Sequence, residues 1–87
     1  MNKTYLGTIT TRGWPAEINR DALVDCAGDD YEQAALDCLR VVGVERYADR
    51  TVFVSVGLGS NRINLPCIWH SVEMRVGVAD PLLRFEC

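Results

Sequence analysis

The alternation of apolar and polar residues predicts β-strands in several parts of the chain. Residues 5–11 are rich in Thr, Tyr and Ile, residues 16–19 alternate with a period of two, and residues 51–56 are dominated by valine. Residues 22–26 either continue the second of these strands or form another. Residues 67–78 alternate over the longest stretch, and their apolar side holds Ile68, His70, Val72, Met74 and Val76.

Glycine and proline mark the turns between these strands. Residues 12–15, Arg-Gly-Trp-Pro, form the first predicted turn. Residues 57–61 form a second turn, which predicts a hairpin with residues 62–65 as its returning strand. Asp80-Pro81 ends the long strand, and residues 82–87 form either a short final strand or a frayed tail.

A helical period appears once, and it predicts a helix that begins at about Asp30 and ends at Val42, residues 30–42. Asp30 stands three residues before Gln33, the spacing of a capping box, and Gly43 suits the position just after a helix. One face of this helix is apolar, with Tyr31, Ala34, Ala35, Cys38, Leu39 and Val42.

Adjacent strands with a single helix predict an α+β fold, in which the helix packs on one face of an antiparallel β-sheet. A length of 87 residues predicts a single domain, residues 1–87. No apolar run approaches the roughly 20 residues of a membrane-spanning helix, and residues 1–7 lack the apolar core of a secretory signal. We therefore expect a protein of the bacterial cytosol, without membrane contact and with reduced, mostly buried cysteines.

The charge of the chain is polarised. Outside residues 16–37 there are eight basic and five acidic residues. This larger part of the chain is therefore positive, although the whole chain has a net charge of −3. Because nucleic-acid affinity depends on neutralising phosphates with Lys and Arg, this balance argues against direct nucleic-acid binding. An acidic segment instead fits a partner with a basic surface. Against the single basic residue Arg20, this segment carries Glu17, Asp21, Asp25, Asp29, Asp30, Glu32 and Asp37.

Three apolar residues occupy positions that the predicted elements place outside the core. Trp14 lies in a turn, Leu36 falls between Glu32 and Arg40 on the polar side of the helix, and Leu58 is at a hairpin tip. Exposed aromatic and apolar residues beside charge are candidate binding anchors. The predicted partner-binding residues are therefore Asp29, Asp30, Glu32, Leu36, Asp37, Trp14 and Leu58.

Catalytic and metal chemistry has few candidate residues. His70 is the one histidine, and its spacing from Cys67 allows a small thiol- or zinc-dependent enzyme as an alternative reading. The strand pattern, however, places His70 on an apolar face. Gly57 and Gly59 lack the Gly-Lys-Ser/Thr ending of a phosphate-binding loop. We therefore expect no enzymatic activity, no cofactor and no metal site.

In its size and order of elements the chain resembles the small phage-encoded anti-CRISPR proteins. The resemblance lies in short strands, the helix segment YEQAALDCL at residues 31–39, and a strand that ends near Gly59-Ser60-Asn61. It implies an inhibitor that acts stoichiometrically on a host protein or ribonucleoprotein complex, a CRISPR-Cas effector above all. A net charge of −3 departs from the strongly acidic DNA mimics among these proteins. The alternative is a phage structural or assembly protein that acts as a homo-oligomer, a homodimer included, through sheet edges.

Overall fold

The computed structural model describes residues 2–47, 50–62 and 68–76. The four strands of this part of the chain form one sheet in the order β2-β1-β3-β4, and every neighbouring pair is antiparallel. The helix packs against one face of the sheet, which confirms the predicted α+β architecture. The elements are β1 (Lys3–Thr10), β2 (Ala22–Gly28), α1 (Tyr31–Val42), β3 (Thr51–Leu58) and β4 (His70–Arg75).

Both predicted caps of α1 are confirmed. The side chain of Asp30 accepts a hydrogen bond from the N–H of Gln33 at 2.9 Å. Gly43 adopts a left-handed conformation with φ of 86°, and its N–H donates to the carbonyl of Leu39 at 3.0 Å. The helix has 12 residues. Nowhere in residues 2–47, 50–62 and 68–76 is a helix long and apolar enough to span a membrane.

The core lies between α1 and the sheet. Alternate positions of the strands point toward the helix, so each strand contributes one set of apolar side chains. Fully burying one such side chain contributes about 1.5–3 kcal/mol. The predicted apolar face of α1 is confirmed, because four of its residues are buried and the other two pack against the core. The buried sheet residues include Tyr5, Ile9, Val52, Val54, Val56, Val72 and Met74.

α1 starts unusually close to the end of β2. A Cβ atom on Gly28 would lie 2.5 Å from the backbone nitrogen of Ala34 and 2.8 Å from the carbonyl carbon of Gln33. These distances are too short for any side chain, so glycine is required at this position. The close approach sets the helix beside the edge strand and forms the groove described below.

Residues 16–19 do not form the predicted strand. They contain a 3-10 helix, Ala16–Ile18, in which the N–H of Ile18 donates to the carbonyl of Pro15 at 3.0 Å. The segment cannot pair with β1 here, because the N–H of Thr11 already donates to the carboxylate of Asp21 at 2.7 Å. Pairing starts only at Ala22, so residues 22–26 belong to a separate strand, the second of the two alternatives.

Trp14 belongs to the core. The prediction that its position in a turn places it outside the core is wrong. Its side chain is only 8% exposed, and its indole N–H donates to the carbonyl of Thr51 at 2.7 Å. The ring also meets Tyr47 edge to face, with centroids 5.4 Å apart. The turn at residues 12–15 therefore folds back over the end of the sheet, a long-range contact that turn residues alone do not indicate.

The strand predicted at residues 51–56 is confirmed and continues to Leu58. The long strand predicted at residues 67–78 is shorter, His70–Arg75. Val72, Met74 and Val76 are buried as expected, whereas Ile68, predicted on the same face, precedes the strand and is exposed. The predicted hairpin with residues 62–65 is wrong at its start, because Arg62 lies in a turn. Both sides of β3 are occupied by β1 and β4. Residues 63–67 and 77–87, which carry the remaining strand predictions, lie outside the described residues.

Candidate partner-binding surface

An open groove runs between the edge strand β2 and the helix α1. Its volume is about 380 Å³. Three of the predicted partner-binding residues, Asp29, Leu36 and Asp37, line it together. We call this site the β2–α1 groove, and the described residues that line it are Asn2, Ala27, Gly28, Asp29, Gln33, Leu36, Asp37, Arg40 and Glu45.

Asp37 connects the helix side of the groove to its strand side. One carboxylate oxygen accepts the N–H of Ala27 at 2.9 Å, across from the helix to the strand. The other oxygen accepts from Arg40, with its Nε at 2.9 Å and its Nη2 at 2.7 Å. The Asp37–Arg40 pair is exposed and contributes at most about 1 kcal/mol to stability. Its main effect is to hold one carboxylate in a defined position on the surface.

The described lining of the groove is negative. Among these residues, the carboxylates of Asp29, Asp37 and Glu45 stand against one guanidinium, that of Arg40. The side chain of Arg40 is 65% exposed, whereas that of Asp37 is 19% exposed. Arg40 is therefore the more exposed member of the pair, and most of its side-chain surface faces water.

Leu36 supplies the large apolar side chain of the groove. It is 36% exposed, whereas Leu39 on the core side of the same helix is 7% exposed. The prediction that Leu36 projects away from the core is confirmed. Its neighbours in the groove are mainly polar, so its exposed part is an isolated apolar contact point.

Asp30 and Glu32 lie at the start of α1 and do not line the groove. Burial raises the pKa of Tyr5, and the neighbouring Tyr31 and the carboxylates of Asp30 and Asp29 raise that pKa further. Asp29 and Asp30 therefore lie near Tyr5, which pairs with Leu58 of β3. Leu58 is 48% exposed, as predicted, and lies at this acidic end of the sheet rather than in the groove.

His70 packs among aromatic rings at the same end of the molecule. Its ring stacks on that of Tyr31, with centroids 3.6 Å apart, and Tyr31 meets Tyr5 edge to face at 5.3 Å. Within the described residues, no three His, Cys, Asp or Glu side chains gather where they could hold a metal ion. Cys67, the partner of His70 in the alternative thiol or zinc site, lies outside the described residues.

The outer edge of β2 carries acidic side chains beside exposed backbone. In an antiparallel ladder alternate residues turn their N–H and C=O groups outward, and Ala27 does so toward Asp37. Leu23 and Asp25 lie four and two residues before Ala27. Their backbone N–H and C=O groups therefore also point away from β1. The carboxylate of Asp25 accepts the N–H of Asn61 at 2.8 Å, and Leu23 is 51% exposed. Charged side chains on an edge strand disfavour its pairing with a strand of another molecule.

Three groove residues, Asp29, Leu36 and Asp37, were predicted from the sequence, but most of the lining was not. Asn2, Ala27, Gly28, Arg40 and Glu45 come from separate segments that only the packing of α1 on β2 brings together. The local signal was Gly28, a glycine directly between a strand and an acidic helix cap. No protein-family model, curated protein or solved structure matches the chain.

Proposed function

We propose that this chain is a small cytosolic, phage-encoded inhibitor that binds a basic surface of a host protein or ribonucleoprotein complex through the β2–α1 groove. The observation that carries the proposal is the grouping of Asp29, Leu36 and Asp37 around one open groove. The resemblance to anti-CRISPR proteins makes a CRISPR-Cas effector the first partner to test. The inhibitor would act by occupying the surface of its partner, without chemistry of its own.

The charge of the groove supports a basic partner. Carboxylates accept arginine in a planar, two-bond geometry, and Asp37 is already held in place by the N–H of Ala27. A side chain that is ordered before binding loses less conformational entropy when the complex forms. Charge complementarity of this kind increases mainly the association rate and the selectivity.

Leu36 supports a stable complex once the encounter has occurred. Its exposed surface stands among polar groups, so a partner that covers it removes apolar surface from water at the centre of the contact. Interface residues of this kind commonly carry a large share of the binding energy. Loss of such a contact is expected to increase the dissociation rate, since most affinity differences within one interface arise there.

Affinity capture from a lysate of the source bacterium, followed by mass spectrometry and an activity assay of the captured complex, tests the proposal. The groove variant combines Asp29→Asn, Leu36→Ala and Asp37→Asn. The matched control combines Phe53→Ala and Glu73→Gln, a directly paired couple on the sheet face opposite α1. We expect the wild type and the control to capture and inhibit the same partner at equal stoichiometry, and the groove variant to do neither. Equal capture by the groove variant would contradict the proposal.

A homo-oligomer formed through β2 is a second candidate function, favoured by the exposed Leu23 on this edge. Antiparallel pairing of two β2 strands would continue the sheet across a two-fold axis. The same pairing would bring Asp21 and Asp25 of both copies together, and like charges on paired strands are destabilising. Light scattering after size-exclusion chromatography separates the two candidates, because only the oligomer predicts a stable dimer or larger species without a partner.

A further inference from the structure

Cys26 of β2 and Cys38 of α1 face each other across Gly7 of β1. A Cβ atom on Gly7 would lie 3.1 Å from the sulfur of each cysteine, so the missing side chain leaves the space that both sulfurs fill. The two sulfurs therefore border the same Cβ-sized space beside Gly7. Both are free thiols. They are buried, with Cys26 4% exposed and Cys38 fully covered.

The neighbouring backbone holds the two cysteines at close range. Ala27 and Asp37, the residues next to Cys26 and Cys38 in the chain, are joined by the 2.9 Å hydrogen bond between strand and helix. The contact of Gly28 with the start of α1 fixes the same two elements one step further along. A disulfide requires a short distance between the two backbones and a small adjustment of the side chains. Here both sulfurs border one Cβ-sized space, and the hydrogen bond between Ala27 and Asp37 holds the two backbones beside it.

We propose that Cys26 and Cys38 are a redox pair that forms a reversible disulfide and fastens α1 to the edge strand β2. The proposal is independent of partner binding, because it concerns the interior side of the contact that forms the groove. It is compatible with thiols that stay reduced in the cytosol, since the pair would close only when an oxidant is present. Hydrogen peroxide is the oxidant class that we invoke.

The two cysteines have different roles in this reaction. A hydrogen bond from Cys38 lowers the pKa of Cys26, whereas the same bond together with burial raises the pKa of Cys38. Cys26 also keeps a small exposed area, whereas Cys38 is fully covered, so a small oxidant has more direct access to Cys26. Cys26 is therefore the attacking cysteine, and Cys38 the resolving one.

The reaction is balanced in two steps. The sulfur of Cys26 attacks one oxygen of hydrogen peroxide, the O–O bond breaks, and the other oxygen leaves as water with the proton of Cys26, which gives a sulfenic acid. The sulfur of Cys38 then attacks the sulfur of Cys26, the S–O bond breaks, and hydroxide leaves as water with the proton of Cys38. Two thiols are oxidised to one disulfide, and one peroxide is reduced to two waters.

The test uses the full chain with Cys67→Ser and Cys87→Ser, which leaves Cys26 and Cys38 as the two cysteines. The protein is treated with hydrogen peroxide and analysed by intact mass spectrometry and by alkylation after unfolding. We expect a monomer that has lost two hydrogens, blocks alkylation and recovers both thiols with dithiothreitol. The disulfide should also raise the unfolding midpoint by about 10 °C. Two thiols that stay alkylatable, added oxygen without hydrogen loss, or a disulfide-linked dimer would overturn the proposal.

Single substitutions in the same background test the roles. Cys38→Ser should leave a sulfenic acid on Cys26 that dimedone labels, because the resolving thiol is gone. Cys26→Ser should give at most about one tenth of that labelling under the same conditions, since Cys38 is fully covered and has the higher pKa. Serine is nearly isosteric with cysteine, and an unchanged circular dichroism spectrum would show that each variant is folded. Labelling of Cys38 at the faster rate would overturn the assignment of roles.

Discussion

The contrast between Leu36 and Leu39 gives a quantitative test of the helix orientation. Both residues lie on α1, three positions apart, but Leu36 is 36% exposed and Leu39 is 7% exposed. Leu39→Ala leaves a cavity in the core, and it should lower the free energy of unfolding by about 3 kcal/mol. Leu36→Ala widens an open groove and leaves no cavity. The expected loss of unfolding free energy is therefore only the transfer free energy of the covered side-chain atoms, about 1 kcal/mol.

Thermal unfolding followed by circular dichroism, with urea unfolding as a second measurement, separates these two values. For a domain of this size, 1 kcal/mol corresponds to about 4–8 °C in the midpoint. We therefore expect Leu36→Ala to lower the midpoint by about 5 °C, and Leu39→Ala by about 15 °C. The slope of the urea transition should stay unchanged in both variants, because the surface exposed on unfolding hardly differs.

Partner binding should show the opposite order. Leu36→Ala is expected to weaken binding about tenfold through faster dissociation, because it removes the apolar contact at the groove. Leu39→Ala, measured well below its unfolding midpoint, should leave the dissociation rate within about twofold of the wild type, since Leu39 does not line the groove. If Leu36→Ala destabilised the protein as much as Leu39→Ala, the orientation of α1 would be wrong. If it left binding unchanged, Leu36 would not be an anchor.

Substitutions at three further positions test the packing around the sheet and the cap of α1. Trp14→Phe removes the 2.7 Å hydrogen bond to the carbonyl of Thr51 and should cost about 1–3 kcal/mol in urea unfolding without any change in partner binding. Gly28→Ala brings a Cβ within 2.5 Å of the backbone nitrogen of Ala34, and it should cost about 1–3 kcal/mol or prevent folding; a neutral effect would contradict the close approach of α1. Asp30→Ala removes the helix cap and should cost about 1 kcal/mol, whereas Asp30→Ser should restore most of that loss.

Local rules were sufficient for α1, for β3 and for the buried positions of β4. The caps of α1 depend on residues within one turn of its ends, so Asp30 and Gly43 identify them without knowledge of the rest of the fold. Strands that bury one face, such as β3 and β4, show their alternation directly. These elements carry their signal in neighbouring residues.

Long-range contacts decided the places where the prediction was wrong. Residues 16–19 alternate like a strand, but the carboxylate of Asp21 takes the N–H of Thr11, the place where a strand would pair. Trp14 follows a turn-forming glycine, but its hydrogen-bond acceptor is the carbonyl of Thr51, in β3. The same limit applies to the groove, whose lining includes Glu45, far from Asp29 in the chain. No local pattern contains this information.

The most direct test of the proposed function is the association rate of the protein with its captured, purified partner as a function of ionic strength. The wild type is compared with the triple variant Asp29→Asn, Glu32→Gln and Asp37→Asn, and with Glu73→Gln as a control on the opposite sheet face. Asparagine and glutamine remove the charge and keep one oxygen acceptor, so an acceptor for the N–H of Ala27 remains.

We predict that the triple variant associates at least about tenfold more slowly at low salt, and that Glu73→Gln behaves as the wild type. Salt at about 0.5 M should slow the wild type to nearly the rate of the triple variant, because it screens the same charges. An association rate that ignores both the loss of these three carboxylates and the salt concentration would contradict an acidic binding surface on this protein.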